Sequence, residues 1–490
     1  GDNWTVALTP NDAHEDGLTV LSNDLIIGPK KNISSCALIG TSGDYYLEHD
    51  ISAQGTCLTI GAADIRIDCA GHAINYSASQ LGYGVNNSAG YDNVTLHNCS
   101  IQSTSASYAR SHGIYNVGGA DNQENDSFVN THSDRSTAVY ASAAHRFVLR
   151  DSTLQSSVSA GTFENEGLEI ISSDNVSVIS SVVHGKGYDD DAAIILRDCF
   201  NLSMRDTDIL SPDDKPLEIT SQYIHDIDQT NTADGLPIYY NHSLVDVIVL
   251  QGQDLRATYG AVICGGCRNV TYDQLTLGTD GLSFFGVNDS TVSYLTISTE
   301  NGSTLKLEDS SDNVFSALNL TASGAYNVLV VDAHRNSFSD VNFSASDTGA
   351  GRNLHLTYAD DNNFTSLRFV STGSLRNWLF DSMNNRFSDG VIEASTGGGL
   401  YLRDEVDSNL FTDILFDVGQ EVVYATSGAN GTVTLRNVTY GSSEDLQFSG
   451  SQLQLLYEEY VDVNVTNQSN GAMLPSVSLE ALDNSFSLVD

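Results

Sequence analysis

The residues best suited to chemistry lie near the middle of the chain. His184 is followed by the acidic run Asp189, Asp190 and Asp191, and Lys215 comes further on. Two carboxyl groups that converge on one face are the acid and base of glycoside hydrolysis, and their separation decides the stereochemical outcome. A polysaccharide lyase would instead combine Ca²⁺ held by carboxylates with an Arg or Lys base. These five residues are therefore the candidate active site of a polysaccharide enzyme.

The same region also suits Ca²⁺, which prefers hard oxygen ligands on loops. Asp189, Asp190, Asp213 and Asp214 are the candidate ligands. The sequence has no Asp-x-Asp-x-Asp-Gly loop, and it lacks the Asn-Thr-Asp, Gly-His-Gly and Arg-Ile-Lys segments of polygalacturonase-type hydrolases. In a chain with 63 acidic residues, the run equally fits a solvated turn between strands. We expect no catalysis here and no cofactor apart from Ca²⁺, with the enzyme kept as the alternative.

Charge and composition exclude several classes of protein. The 490 residues include 21 Lys and Arg against 63 Asp and Glu, a net charge of −42. A field of that sign repels phosphate backbones and anionic lipid, so we expect no nucleic-acid partner. The apolar fraction of 40% is enough for a core. No apolar run is long enough for a transmembrane helix.

Internal repeats predict the fold. Each copy begins with Asn and continues with alternating apolar and small polar residues; the leading residues are Asn93, Asn175, Asn201, Asn269, Asn313, Asn336, Asn362, Asn385 and Asn409. The last five are 23, 26, 23 and 24 residues apart. A period near 24 with short alternating runs indicates a β-solenoid, because alternation buries one side of each strand. The leading Asn fits a left-handed corner, and equivalent corners can stack into a ladder.

Several segments resemble the secreted NosD-like parallel β-helix proteins of methanogenic archaea. The matching segments are residues 43–50, 55–60, 65–74, 82–85, 234–240, 248–250 and 267–271. The resemblance implies an all-β, right-handed parallel β-helix (a pectin-lyase-like solenoid) over residues 36–440. It also implies an N-terminal extension or cap over residues 1–35 and an inserted loop near residues 210–245.

The seven cysteines suit an extracellular chain that uses disulfides as staples. The resemblance implies that Cys36 and Cys57 bridge the cap. Cys69 and Cys99 occupy similar places in successive strands and suit a second bridge. Cys264 and Cys267 lack the surroundings of a redox or zinc motif, so we expect either a local bridge or two core thiols. Because seven is odd, at least one cysteine is left as a thiol or pairs between chains.

A change of domain is predicted after residue 440. Residues 441–490 look like the opening strands of an immunoglobulin-like β-sandwich, with strand patterns at 452–457, 460–466 and 476–482. A complete sandwich needs about seven strands and about 100 residues. Three explanations remain open: the sequence is part of a longer protein, the short sheet caps the β-helix, or a neighbouring subunit completes it by strand addition.

Asn-x-Ser/Thr sequons are dense along the whole chain and suit an extracellular glycoprotein. They begin at Asn3, Asn32, Asn75, Asn86, Asn93, Asn98, Asn125, Asn175, Asn201, Asn241, Asn269, Asn288, Asn301, Asn319, Asn342, Asn363, Asn430, Asn437, Asn464 and Asn467. The first residue, Gly1, is expected to be a processed mature end.

We therefore expect a secreted archaeal cell-surface glycoprotein with a structural role. It would form or decorate an envelope layer such as an S-layer, a sheath or an extracellular filament, by assembling with itself or with other envelope proteins. The alternatives are an extracellular polysaccharide lyase, hydrolase or epimerase, and an adhesin that binds glycans without catalysis.

Overall fold

The structure, a computed structural model, describes most of the chain. The described residues are 31–133, 135–156, 165–185, 192–211, 215–278, 280–299, 303–323, 326–345, 352–372, 377–395, 397–426, 428–440, 446–448 and 452–458, with the backbone of four short strands before residue 31. Those four strands pair antiparallel, Asn3–Trp4 with Leu25–Ile26 and Ala7–Leu8 with Val20–Leu21. The chain falls into two compact units: unit 1 holds residues 1–184 and 199–207, and unit 2 holds residues 185–198 and 208–490.

Unit 1 is a stack of β-coils whose strands form three parallel sheets. Sheet A contains Lys31–Ile33, Gly43–Leu47, Ile65–Asp68, Val94–His97, Gln123–Asn125, Val148–Arg150, Ser177–Ile179 and Ser203–Arg205. Sheet B contains Ile51–Ser52, Ala73–Tyr76, Ser100–Ser103, Phe128–Thr131, Thr153–Ser156 and Val182–His184. Sheet C contains Ala37–Ile39, Leu58–Ile60, Val85–Asn87, Ile114–Val117, Val139–Ser142 and Leu168–Ile171.

Alternation along each strand builds the core of unit 1. Every second residue points inward, and parallel pairing puts inward residues of successive coils side by side. One such row of sheet A joins Ile67, Leu96, Glu124, Leu149 and Val178, all of them buried. Each coil therefore buries its apolar residues against the coils on either side.

Unit 2 contains two long parallel sheets. Sheet D contains Leu236–His242, Ala261–Gly265, Leu282–Phe285, Leu305–Glu308, Tyr326–Val331, Arg352–Thr357, Asn377–Phe380, Leu400–Arg403, Val423–Ala425 and Leu446–Phe448. Sheet E contains Val245–Asp254, Arg268–Leu277, Thr291–Ser293, Thr296–Thr299, Val314–Ala322, Ser337–Ala345, Asn363–Ser371, Arg386–Ala394, Asn409–Val418, Asn430–Arg436 and Gln452–Glu458. Before these sheets come Ala192–Arg197 paired with Lys215–Thr220, Asp208–Leu210 paired with Thr232–Ala233, and the short strand Asp226–Ile227.

The region predicted as an inserted loop, residues 210–245, contains several of these strands and one hairpin. Thr232–Ala233 and Leu236–His242 pair antiparallel. The turn between them is Asp234 and Gly235, whose φ angles are 48° and 82°. Two central residues with positive φ form the two-residue turn that Asp-Gly favours, because this turn matches strand twist. Strand direction therefore reverses here, and the strands of sheet D run parallel to Leu236–His242.

A ladder of buried asparagines runs through unit 2. Its members are Asn313, Asn336, Asn362, Asn385 and Asn409, each exposed by 1% or less. The Oδ1 of each of the last four accepts hydrogen bonds from the backbone N–H and Nδ2 of the member before it, at 2.8–3.2 Å. The predicted ladder is confirmed.

The left-handed corner lies one residue earlier than predicted in these copies. The residues with positive φ directly precede the ladder asparagines; they are Asp312, Arg335, Asp361, Asn384 and Ser408. In the earlier copies the leading asparagine itself has positive φ and is exposed, as at Asn93, Asn175, Asn201 and Asn269. The same sequence pattern thus serves two positions: an exposed left-handed corner and a buried ladder.

A stack of phenylalanines lies two residues after this ladder. It contains Phe315, Phe338, Phe364, Phe387 and Phe411. Ring centroids of neighbours are 4.5–4.8 Å apart, and the ring planes differ by 3–9°. This spacing equals the separation of neighbouring strands, so in-register coils stack identical rings face over face.

The predicted fold class, an all-β right-handed parallel β-helix, is confirmed. Parallel pairing extends beyond both predicted limits. Lys31–Ile33 pairs with Gly43–Leu47, before the predicted start at residue 36. Gln452–Glu458 pairs in parallel with Asn430–Arg436 and packs Leu453 and Leu455 on the core, so it is a coil strand and does not open a sandwich after residue 440. Residues 459–490, the rest of the predicted terminal segment, lie outside the described residues.

Three disulfides join the predicted cysteine pairs. Cys36–Cys57 and Cys69–Cys99 link neighbouring coils, with Cα–Cα distances of 4.5 and 4.8 Å. Cys264–Cys267 is a local bridge, with a Cα–Cα distance of 6.1 Å. The seventh cysteine, Cys199, is a buried thiol whose Sγ donates to the carbonyl oxygen of Ile170 at 3.0 Å.

Candidate functional site

The acidic run predicted as an active site cannot be placed. Asp189, Asp190 and Asp191 lie outside the described residues, as do the metal-ligand candidates Asp213 and Asp214. His184 is half-buried and is the last residue of strand Val182–His184 in unit 1. Its role stays a prediction.

Lys215 is not placed to act as a base on a substrate from solvent. Its side chain is buried, with 4% of the residue exposed. Its Nζ donates hydrogen bonds to the carbonyl oxygens of Asp280 at 3.0 Å and Ser303 at 2.7 Å. Lys215 therefore ties its strand to segments 65 and 88 residues further along unit 2.

A second buried lysine ties the same strand to sheet D. Lys306 Nζ lies 3.0 Å from carboxylate oxygens of both Glu218 and Glu308. Burial alone would lower the pKa of Lys306, but the two carboxylates outweigh it and raise that pKa. Burial also raises the pKa of Glu308 to about 7, although Lys306 opposes the shift. Because this group is enclosed, its chemistry is structural: paired charges lock one arrangement, and removing one partner would leave a buried charge uncompensated.

A row of aromatic side chains on sheet C of unit 1 is better placed for a ligand. The ring of Tyr115 stacks on Tyr83, with centroids 4.5 Å apart, and on Tyr140, at 5.1 Å. Tyr115 and Tyr140 are paired residues of neighbouring strands, and Glu169 occupies the next place in the row. All three tyrosines are half-buried, so part of each ring reaches solvent.

A buried histidine, His112, packs against the tyrosines of this row. The ring of His112 stacks at 5.5 Å from Tyr115, and its Nδ1 accepts a hydrogen bond from the backbone N–H of Thr137 at 3.0 Å. Burial lowers the pKa of His112 to about 4. The imidazole is therefore uncharged at neutral pH, and since Nδ1 is the acceptor, the proton is on Nε2.

Two carboxylates meet at the end of the row. The Thr137 hydroxyl lies 3.0 Å from Oε2 of Glu166 and 3.4 Å from Oε2 of Glu169. The two glutamates are only 4% and 9% exposed. Because both reach one hydroxyl, their oxygens lie close together. This cluster, which we call the tyrosine–glutamate row, consists of Tyr83, His112, Tyr115, Thr137, Tyr140, Glu166 and Glu169.

The row provides the groups that proteins use to hold sugars. Aromatic rings offer apolar surface with a polar edge, and carboxylates accept hydrogen bonds from hydroxyl groups. Neighbouring coils are about 4.8 Å apart, close to the length of one sugar unit in an extended polysaccharide. A chain lying along the row would therefore present successive sugars to successive coils.

The sequence contained the residues of this row but not their grouping. Tyr115, Tyr140 and Glu169 are separated by 25 and 29 residues, and only the register of the coils brings them together. The one usable signal is that each follows Gly or Ala and an apolar residue at the start of a sheet C strand.

The described residues offer neither a metal-ligand cluster nor a membrane-spanning helix. Within those residues, no three His, Cys, Asp or Glu side chains are grouped so as to hold a metal ion. The predicted Ca²⁺ binding stays a prediction. The described part of the chain also contains no helix with the length and apolar composition needed to span a bilayer.

Comparisons with known proteins are limited to weak structural similarity. No family model matches the chain, and no curated protein matches it in sequence. The A-module of mannuronan C-5 epimerase AlgE6 from Azotobacter vinelandii is 10% identical, with 86% of this chain and 92% of that one covered and a TM-score of 0.24.

Two further solved structures have similar scores. Tailspike protein 3 of bacteriophage CBA120 is 11% identical, covering 92% of this chain and 60% of that one, with a TM-score of 0.20. The surface adhesin PfbA of Streptococcus pneumoniae is 8% identical, covering 84% and 85%, with a TM-score of 0.20. At such scores these similarities are not evidence of a shared activity, and no functional residue is transferred from them.

Proposed function

We propose that this chain is an extracellular β-helix protein that binds a neutral polysaccharide along the tyrosine–glutamate row. The observation that carries the proposal is the convergence of three stacked tyrosines and two nearly buried carboxylates on one face of sheet C. The three disulfides and the dense sequons support the extracellular setting. The NosD-like family and an archaeal source remain part of this proposal.

Charge argues for a neutral ligand. Carboxylates accept hydrogen bonds from sugar hydroxyls but repel uronic acids, and the whole chain has a net charge of −42. Binding without catalysis is proposed because Lys215, the candidate base, is enclosed. The polysaccharide lyase, hydrolase or epimerase is the alternative that product analysis will distinguish.

The test is a binding screen on neutral and acidic oligosaccharides, followed by titration calorimetry. We expect at least a tenfold loss of affinity for the best neutral ligand in Tyr115→Ala and in Glu169→Gln. Tyr401→Ala is the matched control, because Tyr401 and Tyr424 form a similar stack on sheet D of unit 2, with centroids 5.4 Å apart. Equal losses in Tyr115→Ala and Tyr401→Ala would contradict the proposal. Released or epimerised sugar would favour the enzyme.

A structural role by self-assembly is the second candidate. It would place the protein in an envelope layer, sheath or filament. The observation that favours it is the terminal strand of sheet E, Val245–Asp254, whose Val245, Val247 and Ile248 are exposed. Such an edge offers unpaired backbone groups to another chain. Electron microscopy of concentrated protein at high salt tests this role, and dispersed monomers under every condition would contradict it.

A further inference from the structure

Three buried ionisable side chains meet against sheet D in unit 2. Lys306 and Glu308 belong to strand Leu305–Glu308, whose alternate residues point into the core, so Lys306 and Glu308 lie together on the opposite face. Glu218 reaches them from strand Lys215–Thr220. The side chains of Lys306, Glu308 and Glu218 are 4%, 9% and 14% exposed, so water is largely excluded from the group.

The lysine nitrogen contacts both carboxyl groups. Its Nζ donates to Oε2 of Glu218 at 3.0 Å and lies 3.0 Å from Oε2 of Glu308. The second oxygen of Glu218, Oε1, lies 3.9 Å from Nη2 of Arg197. The ring centroid of Phe285, a residue that pairs with Glu308, lies 5.7 Å from the same Nζ. An amine, a carboxyl group that it can attack and a second carboxyl group are thus enclosed beside an aromatic ring.

We propose that Lys306 and Glu218 condense to an amide, an intramolecular isopeptide bond that joins strand Lys215–Thr220 covalently to sheet D. The new bond forms between Nζ of Lys306 and Cδ of Glu218, while the bond from Cδ to Oε2 breaks. An ammonium and a carboxylate together lose one water molecule, so the reaction needs no oxidant, reductant or further reactant. The modification is independent of the polysaccharide binding proposed above.

Glu308 is placed to carry the protons of this reaction. Burial lowers the pKa of Lys306, but the charges of Glu218 and then Glu308 raise it further, so the resting nitrogen is an ammonium. It must lose a proton before it can attack Cδ. Burial raises the pKa of Glu308 to about 7, so this carboxyl group exchanges protons near neutral pH. Both protons that Nζ loses pass through Glu308 to Oε2 of Glu218, which leaves as water.

Arg197 stabilises the charge that develops during the attack. Addition of Nζ to Cδ puts negative charge on Oε1, the oxygen of Glu218 that faces the guanidinium. Burial also favours the product, because an uncharged amide replaces two buried charges that are costly to desolvate. The fold holds the reacting groups in contact, and in well-oriented intramolecular reactions this corresponds to effective concentrations of about 10⁵–10⁸ M.

The test is the mass of the reduced, unglycosylated chain after prolonged incubation of the folded protein. We expect the mass to fall below that of the sequence by one water molecule. Lys306→Arg keeps the positive charge but replaces the amine with a guanidinium that stays protonated, so it should keep the full mass. Glu308→Gln keeps the reacting pair and removes the proton carrier, so it should lose water at least about tenfold more slowly.

The control for Glu308→Gln is Glu393→Gln. Glu393 is paired with an arginine, Arg368, at 3.0 Å and lies on sheet E. This variant also removes one carboxyl group from an ion pair, but it leaves Lys306 and both of its partners in place. It should therefore lose water as fast as the native chain.

Trypsin digestion identifies the joined residues. Lys215 precedes a proline and is not cleaved, so Glu218 lies in peptide 206–256; an acylated Lys306 is not cleaved either, which gives peptide 269–335. We expect these two peptides as one joined species, with the link at Glu218 and Lys306. A link within peptide 269–335 alone would place the bond at Glu308 and overturn the assignment to Glu218.

Water loss by itself does not prove the bond. Succinimide formation at Asp234 or Asp280, each followed by glycine, also loses water, but it leaves separate peptides and normal cleavage after Lys306. A native chain of full mass would overturn the proposal, and so would equal water loss in the native chain and Lys306→Arg. Circular dichroism verifies folding; if Glu308→Gln does not fold, the joined peptide and Lys306→Arg decide without it.

Discussion

Glu124 is a carboxylic acid at a position that neighbouring coils fill with leucine. In sheet A it pairs with Leu96 on one side and Leu149 on the other, and it is 1% exposed. The nearby Ser127 hydroxyl lies 2.9 Å from the carbonyl oxygen of Asn125, which competes with the carboxyl group for its proton. Burial raises the pKa of Glu124 to about 8, and Ser127 offsets only part of that shift. The group is therefore held largely neutral at pH 7.

Replacing Glu124 with leucine should stabilise the protein at neutral pH. Since the pKa of Glu124 is higher in the folded state than its ordinary value of 4.5, the folded state binds more protons between about pH 4.5 and 8, and stability falls as pH rises through that range. At pH 8 the raised pKa of Glu124 lowers the free energy of unfolding by about 4 kcal/mol at most. Thermal unfolding from pH 4.5 to 8 should show a growing advantage of Glu124→Leu over the native chain.

Glu124→Gln is the control for that measurement. Glutamine does not titrate, so it should remove the same pH dependence while keeping a buried polar group. A native chain with the same pH dependence as Glu124→Gln would show that the carboxyl group is not held neutral.

Sequons differ in whether the folded chain exposes their reactive nitrogen. The Nδ2 of Asn241 is fully buried although the residue is only half-buried, whereas Asn32, Asn98 and Asn319 are exposed. A glycan on Nδ2 of Asn241 would have to occupy space already filled by the protein. Glycopeptide mass spectrometry of native material should find glycans at the exposed sequons and none at Asn241. Full occupancy at Asn241 would mean that the surrounding segment folds differently.

At the scale of elements, the asparagine ladder and the phenylalanine stack come from the same repeat and hold the same coils in register. Each repeat places Asn and Phe two residues apart, so both point into the core of sheet E. The ladder satisfies backbone groups at the corner that the strand hydrogen bonds cannot reach, and the stack supplies apolar contact in the same coil. The coils thereby keep their register.

Removing one asparagine of the ladder should lower the stability of the fold, because each side chain makes several buried hydrogen bonds. Asn362 accepts from Asn336, and its Nδ2 donates to Ala333 and Asn385. Asn362→Ala removes the bonds to the buried Asn336 backbone N–H and the Ala333 carbonyl oxygen, at about 1–3 kcal/mol for each, so we expect a loss of roughly 3 kcal/mol or more in the free energy of unfolding.

The comparison for Asn362→Ala is Ser388→Ala, a half-buried serine on the next coil of the same sheet. Surface changes of this kind are usually within about 0.5 kcal/mol. Denaturant unfolding of both variants gives the difference. Similar stabilities would mean that the ladder hydrogen bonds are replaced by water.

At the scale of the whole molecule, the stacking of coils brings like-charged carboxylates close together. Equivalent left-handed corners after strands of sheet D hold Asp309, Asp332, Asp381 and Asp404. Burial and then the charge of Asp309 raise the pKa of Asp332. With 63 acidic residues on one chain, the folded state brings together charges that an unfolded chain keeps further apart.

Salt should therefore stabilise the fold. The screening length falls from about 10 Å at 0.1 M to about 3 Å at 1 M, so the melting temperature should rise by several degrees over this range, equally in NaCl and KCl. Calcium chloride at matched ionic strength tests the predicted Ca²⁺ binding, since a specific site would add stability beyond screening. A melting temperature independent of salt would contradict the repulsion.

Local sequence pattern alone determined the coil and its period. The repeat predicted a ladder but not which copies form it; the structure shows that the ladder asparagines are those with Phe two residues later, whereas the asparagines of the described sequons are never buried. Among the cysteines, only the Cys69–Cys99 pair was predicted from equivalent strand places, because Cys36–Cys57 was implied by the resemblance and the bridge at Cys264 and Cys267 was left open. These features depend on contacts one period apart or less, which a repeating pattern encodes directly.

Tertiary structure alone decided which side chains meet across coils and which strand lies at an edge. The sequence predicted Lys215 as a candidate base. In the structure its Nζ is buried and bonds the carbonyl oxygens of Asp280 and Ser303, which lie 65 and 88 residues further along the chain. The tyrosine–glutamate row depends on the register of successive coils, and the place of Val245–Asp254 as the terminal strand of sheet E depends on the strand reversal at Asp234 and Gly235. Contacts of this range depend on where the chain turns, and turn positions vary in length from coil to coil without changing the repeat.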